Sequence, residues 1–225
     1  MARADQGVAI EDGAGLAIDL VEHLCAALGA LGVREGLVVR VFGPELPLLD
    51  GGAARWVAAL GALGLAPSPP RSRVTRAATL EVGDARYELA PGDGPALEVH
   101  VAFDHPAIGA QRAAWEGDAG DFARRIAPAR TFGFARDALA LQAAGRARGV
   151  DLASTLVFDD VGVVAGCAPA EPDEPARHKL LDLVGDLFLS GGPPLGRVVA
   201  HRPGHAATHA MVRRARDEGI LAPCE

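Results

Sequence analysis

The sequence predicts an α+β protein of two layered sheet-plus-helix domains, and three observations carry that prediction. Each half of the chain runs strands, helix, strand, helix, an order that suits layers and not a parallel doubly wound sheet. A proline-rich break, APSPPRS at Ala66 to Ser72, separates the halves and shows no periodicity. The stretch Glu174 to Leu189, EPARHKLLDLVGDLFL, reads as one amphipathic helix, with Leu180, Leu181, Val184, Leu187 and Phe188 spaced by three and four along one side. One domain is therefore expected at residues 1–66, a linker at 67–72 and a second domain at 73–225.

Composition narrows the function classes. With 225 residues, 49% apolar but only 4% aromatic, the chain must build its core mainly from Ala, Leu and Val. Lys and Arg number 22 against 29 Asp and Glu, a formal charge of −7. That balance argues against nucleic acid or an anionic membrane as a partner. Cys25, Cys167 and Cys224 form no C-x-x-C pair and no disulfide framework, which fits a reducing compartment. The N-terminal MARADQGVAIEDGAG shows no signal-peptide core, and no apolar run reaches the about 18 residues of a membrane span. A cytoplasmic protein without an integral membrane segment is expected.

Taken in order, Val8 to Ile10 and Leu16 to Leu20 are short apolar pieces split by the turn-rich EDGAG, a hairpin signal. Leu20 to Leu31 follows as a helix, with Val21, Leu24, Leu28 and Leu31 spaced for burial and Gly32 to stop it. Glu22 and His23 fall in its first turn, where an acid also has a bland explanation in the helix dipole. Leu37 to Phe42 reads as a strand ending at Gly43-Pro44, and Asp50 is placed to cap or brace a helix at Ala53 to Leu63. Beyond the break, Ala77 to Val82, Ala85 to Leu89 and Leu97 to Phe103 read as strands, with turns at Gly83-Asp84 and Pro91 to Pro95. Asp118 to Ile126 and Ala135 to Ala147 read as helices, and Leu156 to Val164 as strand pieces around Asp159-Asp160. After the amphipathic helix come a Gly/Pro loop at Gly191 to Gly196, a strand at Val198 to His201 and a last helix from about His205 to Glu218.

The amphipathic helix also carries a polar row, His178, Asp182 and Asp186, at i, i+4 and i+8. A His and a carboxylate one turn apart can grip one metal ion. A solvated charged face accounts for the segment equally well, so a third ligand from elsewhere has to decide. Three histidine-bearing motifs stand out: Val21-Glu22-His23, Arg177-His178-Lys179 with the two aspartates, and Pro203-Gly204-His205. Lys179 is the sole lysine of the chain. His100, His105, His201 and His209 stay unassigned.

With the run Ala129 to Phe134, ARTFGF, these motifs resemble the zinc-dependent UDP-3-O-acyl-N-acetylglucosamine deacetylase (LpxC) family of lipid A biosynthesis. The similarity runs through VEHLCAALGALG, ELPLLDGGA, FDHPAI, ARTFGFARD, RHKLLDLVGDLFLSG and GH, from about Val8 to Leu221. The resemblance implies two domains packed around a shared metal site. It implies His23, His178 and Asp182 as zinc ligands, with iron the alternative ion, and Glu22 as general base. His205 matches a cation acting on the developing oxyanion and leaving amine, and Asp186 the carboxylate that orients it. Thr131 matches a hydroxyl that helps hold the oxyanion, and Phe132 the residue beside it. Lys179 matches a substrate-contacting lysine. Phe103 and Arg202 fall where the family holds the nucleotide-sugar part of its substrate. Two imidazoles and one carboxylate would leave Zn²⁺ a net charge of about +1, enough to bring bound water toward a pKa of about 7.

The chain departs from the family twice. Members carry a further N-terminal stretch, so the first domain is expected to be reduced and covered by a second copy of the chain. Gly149 to Val157, GVDLASTLV, stands near the passage for the substrate's acyl chain, where the family has a glycine-serine-leucine stretch. Val150, Asp151 and Thr155 are bulkier or more polar, and an acid there is tolerated only if it faces solvent. The expected function is removal of the N-acetyl group from a UDP-linked 3-O-acyl-N-acetylglucosamine. A shortened paralogue acting on another N-acetylated sugar is the alternative. A non-catalytic binding protein needs no general base, and a non-haem iron oxygenase, which shares the ligand set, lacks its strand-rich barrel here.

Overall fold

The computed structural model describes residues 2–3, 7–137 and 151–224. Three short strands, β1 (Ala2–Arg3), β2 (Ala9–Glu11) and β3 (Ala17–Ile18), pair antiparallel at the start of the chain. The β2–β3 turn closes on Asp12, whose Oδ1 accepts from the Ala14 and Leu16 amides at 2.8 and 2.9 Å. Helix α1 (Glu22–Leu31) follows and ends where Gly32 takes φ 69°, a left-handed cap that favours glycine. A second helix, α2, spans Ala54–Gly61.

The central sheet has five strands: β5 (Ala78–Val82), β6 (Ala85–Ala90), β7 (Pro95–Ala102), β8 (Ala110–Trp115) and β11 (Gly196–His201). Their order is β5-β6-β11-β7-β8, with β11 parallel to β7 and the other pairings antiparallel. Alternation along the strands sends Leu80, Tyr87, Leu89, Leu97, Val99, Val198 and Ala200 into the core. Two smaller ladders join β4 (Ser72–Val74) to β12 (Leu221–Pro223), and β9 (Thr131–Phe134) in parallel to β10 (Thr155–Phe158). Helix α3 (Ala119–Asp121) continues as a π-helical turn, Phe122–Ile126.

Helix α4 (Glu174–Phe188) is the hub, in contact with α1, β7, β8, β9 and the last helix, α5 (His205–Asp217). Leu180, Leu181, Leu183, Val184 and Leu187 are all buried on it. Two glycines let α1 approach α4 closely. A Cβ at Gly185 would lie 2.3 Å from the Glu22 carbonyl oxygen, and one at Gly29 would lie 3.1 Å from a Val184 methyl. One hydrophobic cluster runs from Val8 on β2's approach through α1 and α4 to the sheet. Residues 65–71 carry no helix or strand, and Ser72, the last residue of the proline-rich break, opens β4.

Several expectations are corrected. Leu37 to Phe42 is not a strand: among the described residues nothing pairs with it, and Val38 and Phe42 are 81% and 97% exposed. A β-prone run without a neighbour to take its amides and carbonyls forms no ladder. Asp50 does not cap α2, which begins from Ala53 without a side-chain cap; the Ala53 amide donates to the Ala127 carbonyl at 2.7 Å instead. The stretch 118–126 is α-helical for only one turn, because Phe122 and Ile126 both turn into the core and widen it to π. The helix expected at Ala135 to Ala147 lies mostly outside the described residues. Strands β8 and β9 have no counterpart in the sequence reading.

Candidate metal centre

Burial and helix geometry bring the centre together. Glu22 and His23 open α1, and both are buried because the Gly185 notch seats that end of α1 on α4. His178 and Asp182 stand one turn apart on α4, with His178 Nε2 3.5 Å from Asp182 Oδ1. The His23 and His178 rings meet edge to face with centroids 5.1 Å apart. Ligand atoms of His23, His178 and Asp182 all lie within 4.8 Å of one another. A tetrahedral ion with bonds of about 2.0–2.1 Å spaces its ligand atoms by roughly 3.4 Å, so these side chains need only a small closure to share one.

The protonation states suit a cation. Burial, then the neighbouring His178, pushes His23 down to about 3, and burial also lowers His178, so both rings are neutral. His178 Nδ1 donates to the Ala129 carbonyl at 3.0 Å, which leaves Nε2 with its lone pair toward the cluster. Burial opposes the charge of Asp182, but the Lys179 ammonium and the His205 cation outweigh it and hold the carboxyl well below the usual range. Lys179 Nζ donates to Asp182 Oδ2 at 2.6 Å, so the second oxygen is neutralised while the first faces the histidines.

Two further groups flank the trio. Glu22 Oε2 accepts from the Val8 amide at 3.0 Å, and burial raises its pKa against the opposing charge of His205. His205, at the start of α5, donates from Nδ1 to Asp186 at 2.9 and 3.1 Å, and its Nε2 lies 4.0 Å from Asp182 Oδ2. Burial works against the His205 cation, yet Asp182 and Asp186 together lift it to about 9 in the metal-free protein. His209, unassigned from sequence, lies one turn further on with Nε2 3.6 Å from Asp186 Oδ1.

The remaining candidates lie around this cluster. Phe132 on β9 faces His178 edge to face at 6.2 Å and packs against Phe103 at 5.5 Å. Thr131 is half-buried beside it, its amide bonded to the Gly51 carbonyl at 2.7 Å. Arg202, held at φ 49°, lines an open groove of about 790 Å³ with Arg86, His100, Arg112, His201 and Asp173. Sequence reasoning did not single out Glu174, which accepts bonds from Arg130 at 2.9 and 3.1 Å. Arg130 stood inside the ARTFGF run, but only the fold shows its partner.

A profile of the UDP-3-O-acyl N-acetylglycosamine deacetylase (LpxC) family matches residues 3–216. The chain is 40% identical over 200 residues to UDP-3-O-acyl-N-acetylglucosamine deacetylases of Brucella ovis, Brucella canis and Brucella melitensis. Each match covers 87% of this chain and 70% of the relative. With the matching motifs gathered at one buried cluster, the chain belongs to the UDP-3-O-acyl-N-acetylglucosamine deacetylase family.

Proposed function

We propose that this chain is a metal-dependent deacetylase that hydrolyses the N-acetyl amide of a UDP-linked 3-O-acyl-N-acetylglucosamine, the substrate named for its relatives. The observation that carries the reading is the meeting of Glu22 and His23 from α1 with His178 and Asp182 from α4, beside the His205–Asp186 pair. His23, His178 and Asp182 hold the ion; two neutral imidazoles and a carboxylate form a catalytic zinc set, with iron the competing occupant. When bound, the ion supplies Lewis-acid polarisation of the amide carbonyl and of water.

The chain's own residues do the rest. Glu22, next in sequence to a ligand and with its pKa raised by burial, accepts the proton of the attacking water. His205, cationic near neutral pH and oriented by Asp186, meets the charge developing on the amide oxygen and gives its proton to the departing amine. Thr131 adds a hydroxyl donor to the same oxygen. Lys179 neutralises the outer oxygen of Asp182, and the family resemblance gives it a contact with substrate as well. Phe103 and Phe132 give an aromatic wall, and Arg86, Arg112 and Arg202 give the groove the charge that a diphosphate needs.

Acetate release from UDP-linked and free N-acetylglucosamine derivatives tests the reading. Glu22→Ala is expected to lower the rate by about 100-fold or more with metal content unchanged. Unchanged release, or turnover that requires oxygen, would sink it. Asp151 is exposed and its Oδ1 accepts from the Ala153 amide at 2.9 Å, so it does not line an apolar passage. That supports the long-acyl substrate over the paralogue's; equal rates on short N-acetylated sugars would favour the paralogue. The exposed Val38, Val39 and Phe42 support a second copy covering the first domain, and a clean monomer in size-exclusion chromatography would count against it.

A further inference from the structure

We propose that Arg130 and Glu174 are positioning residues for the metal centre: their ion pair clamps segment 129–131 onto α4, so that the Ala129 carbonyl holds the His178 ring in its ligating orientation. The inference rests on the metal-site reading above.

Glu174 is the first residue of α4 and only 3% exposed, while the Arg130 side chain is 12% exposed. Glu174 Oε1 accepts from the Arg130 backbone amide at 3.0 Å and from its Nε at 2.9 Å. Oε2 accepts from Arg130 Nη2 at 3.1 Å and from the Glu171 amide at 2.9 Å. The same guanidinium nitrogen donates to the Pro169 carbonyl at 2.9 Å. One turn along α4, His178 Nδ1 donates to the Ala129 carbonyl, and on the other side the Thr131 amide donates to Gly51. Three consecutive residues are thus fixed, two of them to successive turns of the helix that carries the ligands.

Such a buried pair gives little net stability over an apolar pair of the same size. What four donors on one carboxylate do give is a fixed distance between β9 and α4. A carbonyl can only accept, so its placement selects the Nδ1–H tautomer of His178 and leaves Nε2 for the ion. If segment 129–131 drifts, the ring loses both its tautomer and its aim.

Zinc affinity, measured by chelator competition, and melting of the metal-free protein separate the roles. Glu174→Gln, Arg130→Lys and the apolar double variant Arg130→Met/Glu174→Leu are compared with His178→Ala. Affinity is expected to fall about 10- to 100-fold in all three clamp variants, including the double variant whose metal-free melting stays near wild type. Wild-type zinc affinity in the folded clamp variants, with weak binding in His178→Ala, would overturn the proposal and leave the metal site standing. Wild-type affinity in His178→Ala as well would overturn both.

Discussion

Asp182 divides its two oxygens between neighbours of opposite need. Oδ2 takes the Lys179 ammonium at 2.6 Å while Oδ1 turns to His178, so the carboxylate stays charged in a buried place. His205 depends on the same charge. A histidine whose pKa is raised is cationic below that value and loses its proton as pH rises through it, here about 9 without metal. A bound cation pulls the value down, so the alkaline limb of the kcat profile is expected at or below pH 9. His205→Gln is expected to remove that limb and lower kcat about 100- to 1,000-fold with metal content intact; a limb that persists would assign it elsewhere. The row His178, Asp182 and Asp186 was legible as residue types at helical spacing, whereas His205 entered only through the family resemblance. Asp50 was not legible: its place before a helix looks like a cap, but Ala53 takes the N-cap position and α2 has no side-chain cap.

The contact of α1 with α4 delivers half of the centre. Gly185→Ala should gain about 1 kcal/mol of helix propensity, yet its methyl would meet the Glu22 carbonyl at 2.3 Å. Backbone cannot yield as a side-chain tip can, so α1 should lift, costing about 1–3 kcal/mol net and at least 10-fold in zinc affinity. Melting and chelator competition on the purified variant check both; an unchanged affinity would mean that the notch does not seat His23. Helices with long apolar stripes, α1 and α4, were readable because periodicity reports a face that must be buried. Strand β9 was not, since TFGF is too short and glycine-broken to show alternation. The run 37–42 erred the other way: its pattern is strand-like, but a pattern cannot supply the neighbour.

At the scale of the molecule, an ion held by the proposed ligands would join residues from either side of the proline-rich break. Removing it with a chelator should destabilise the protein by about 2.7 kcal/mol relative to a free-ion concentration one hundred times the dissociation constant. For a domain of this size that is a fall of roughly 5–10 °C in the melting midpoint, restored by adding zinc. A midpoint indifferent to chelator would argue that no ion is held. The overall class was legible because strand and helix order alone limits the layers. The joining of both halves into one core was not, because glycine notches such as Gly185 leave no periodic trace.

The seat at Gly185 also orders events in the life of the chain. A ribosome releases His23 well before its two companions, which lie far later in the chain on α4. During synthesis no ion can be gripped by all three until that late helix has emerged and docked. On the proposed ligand set, loading the ion therefore waits for α4 to dock on α1, and His23 alone cannot hold it before then.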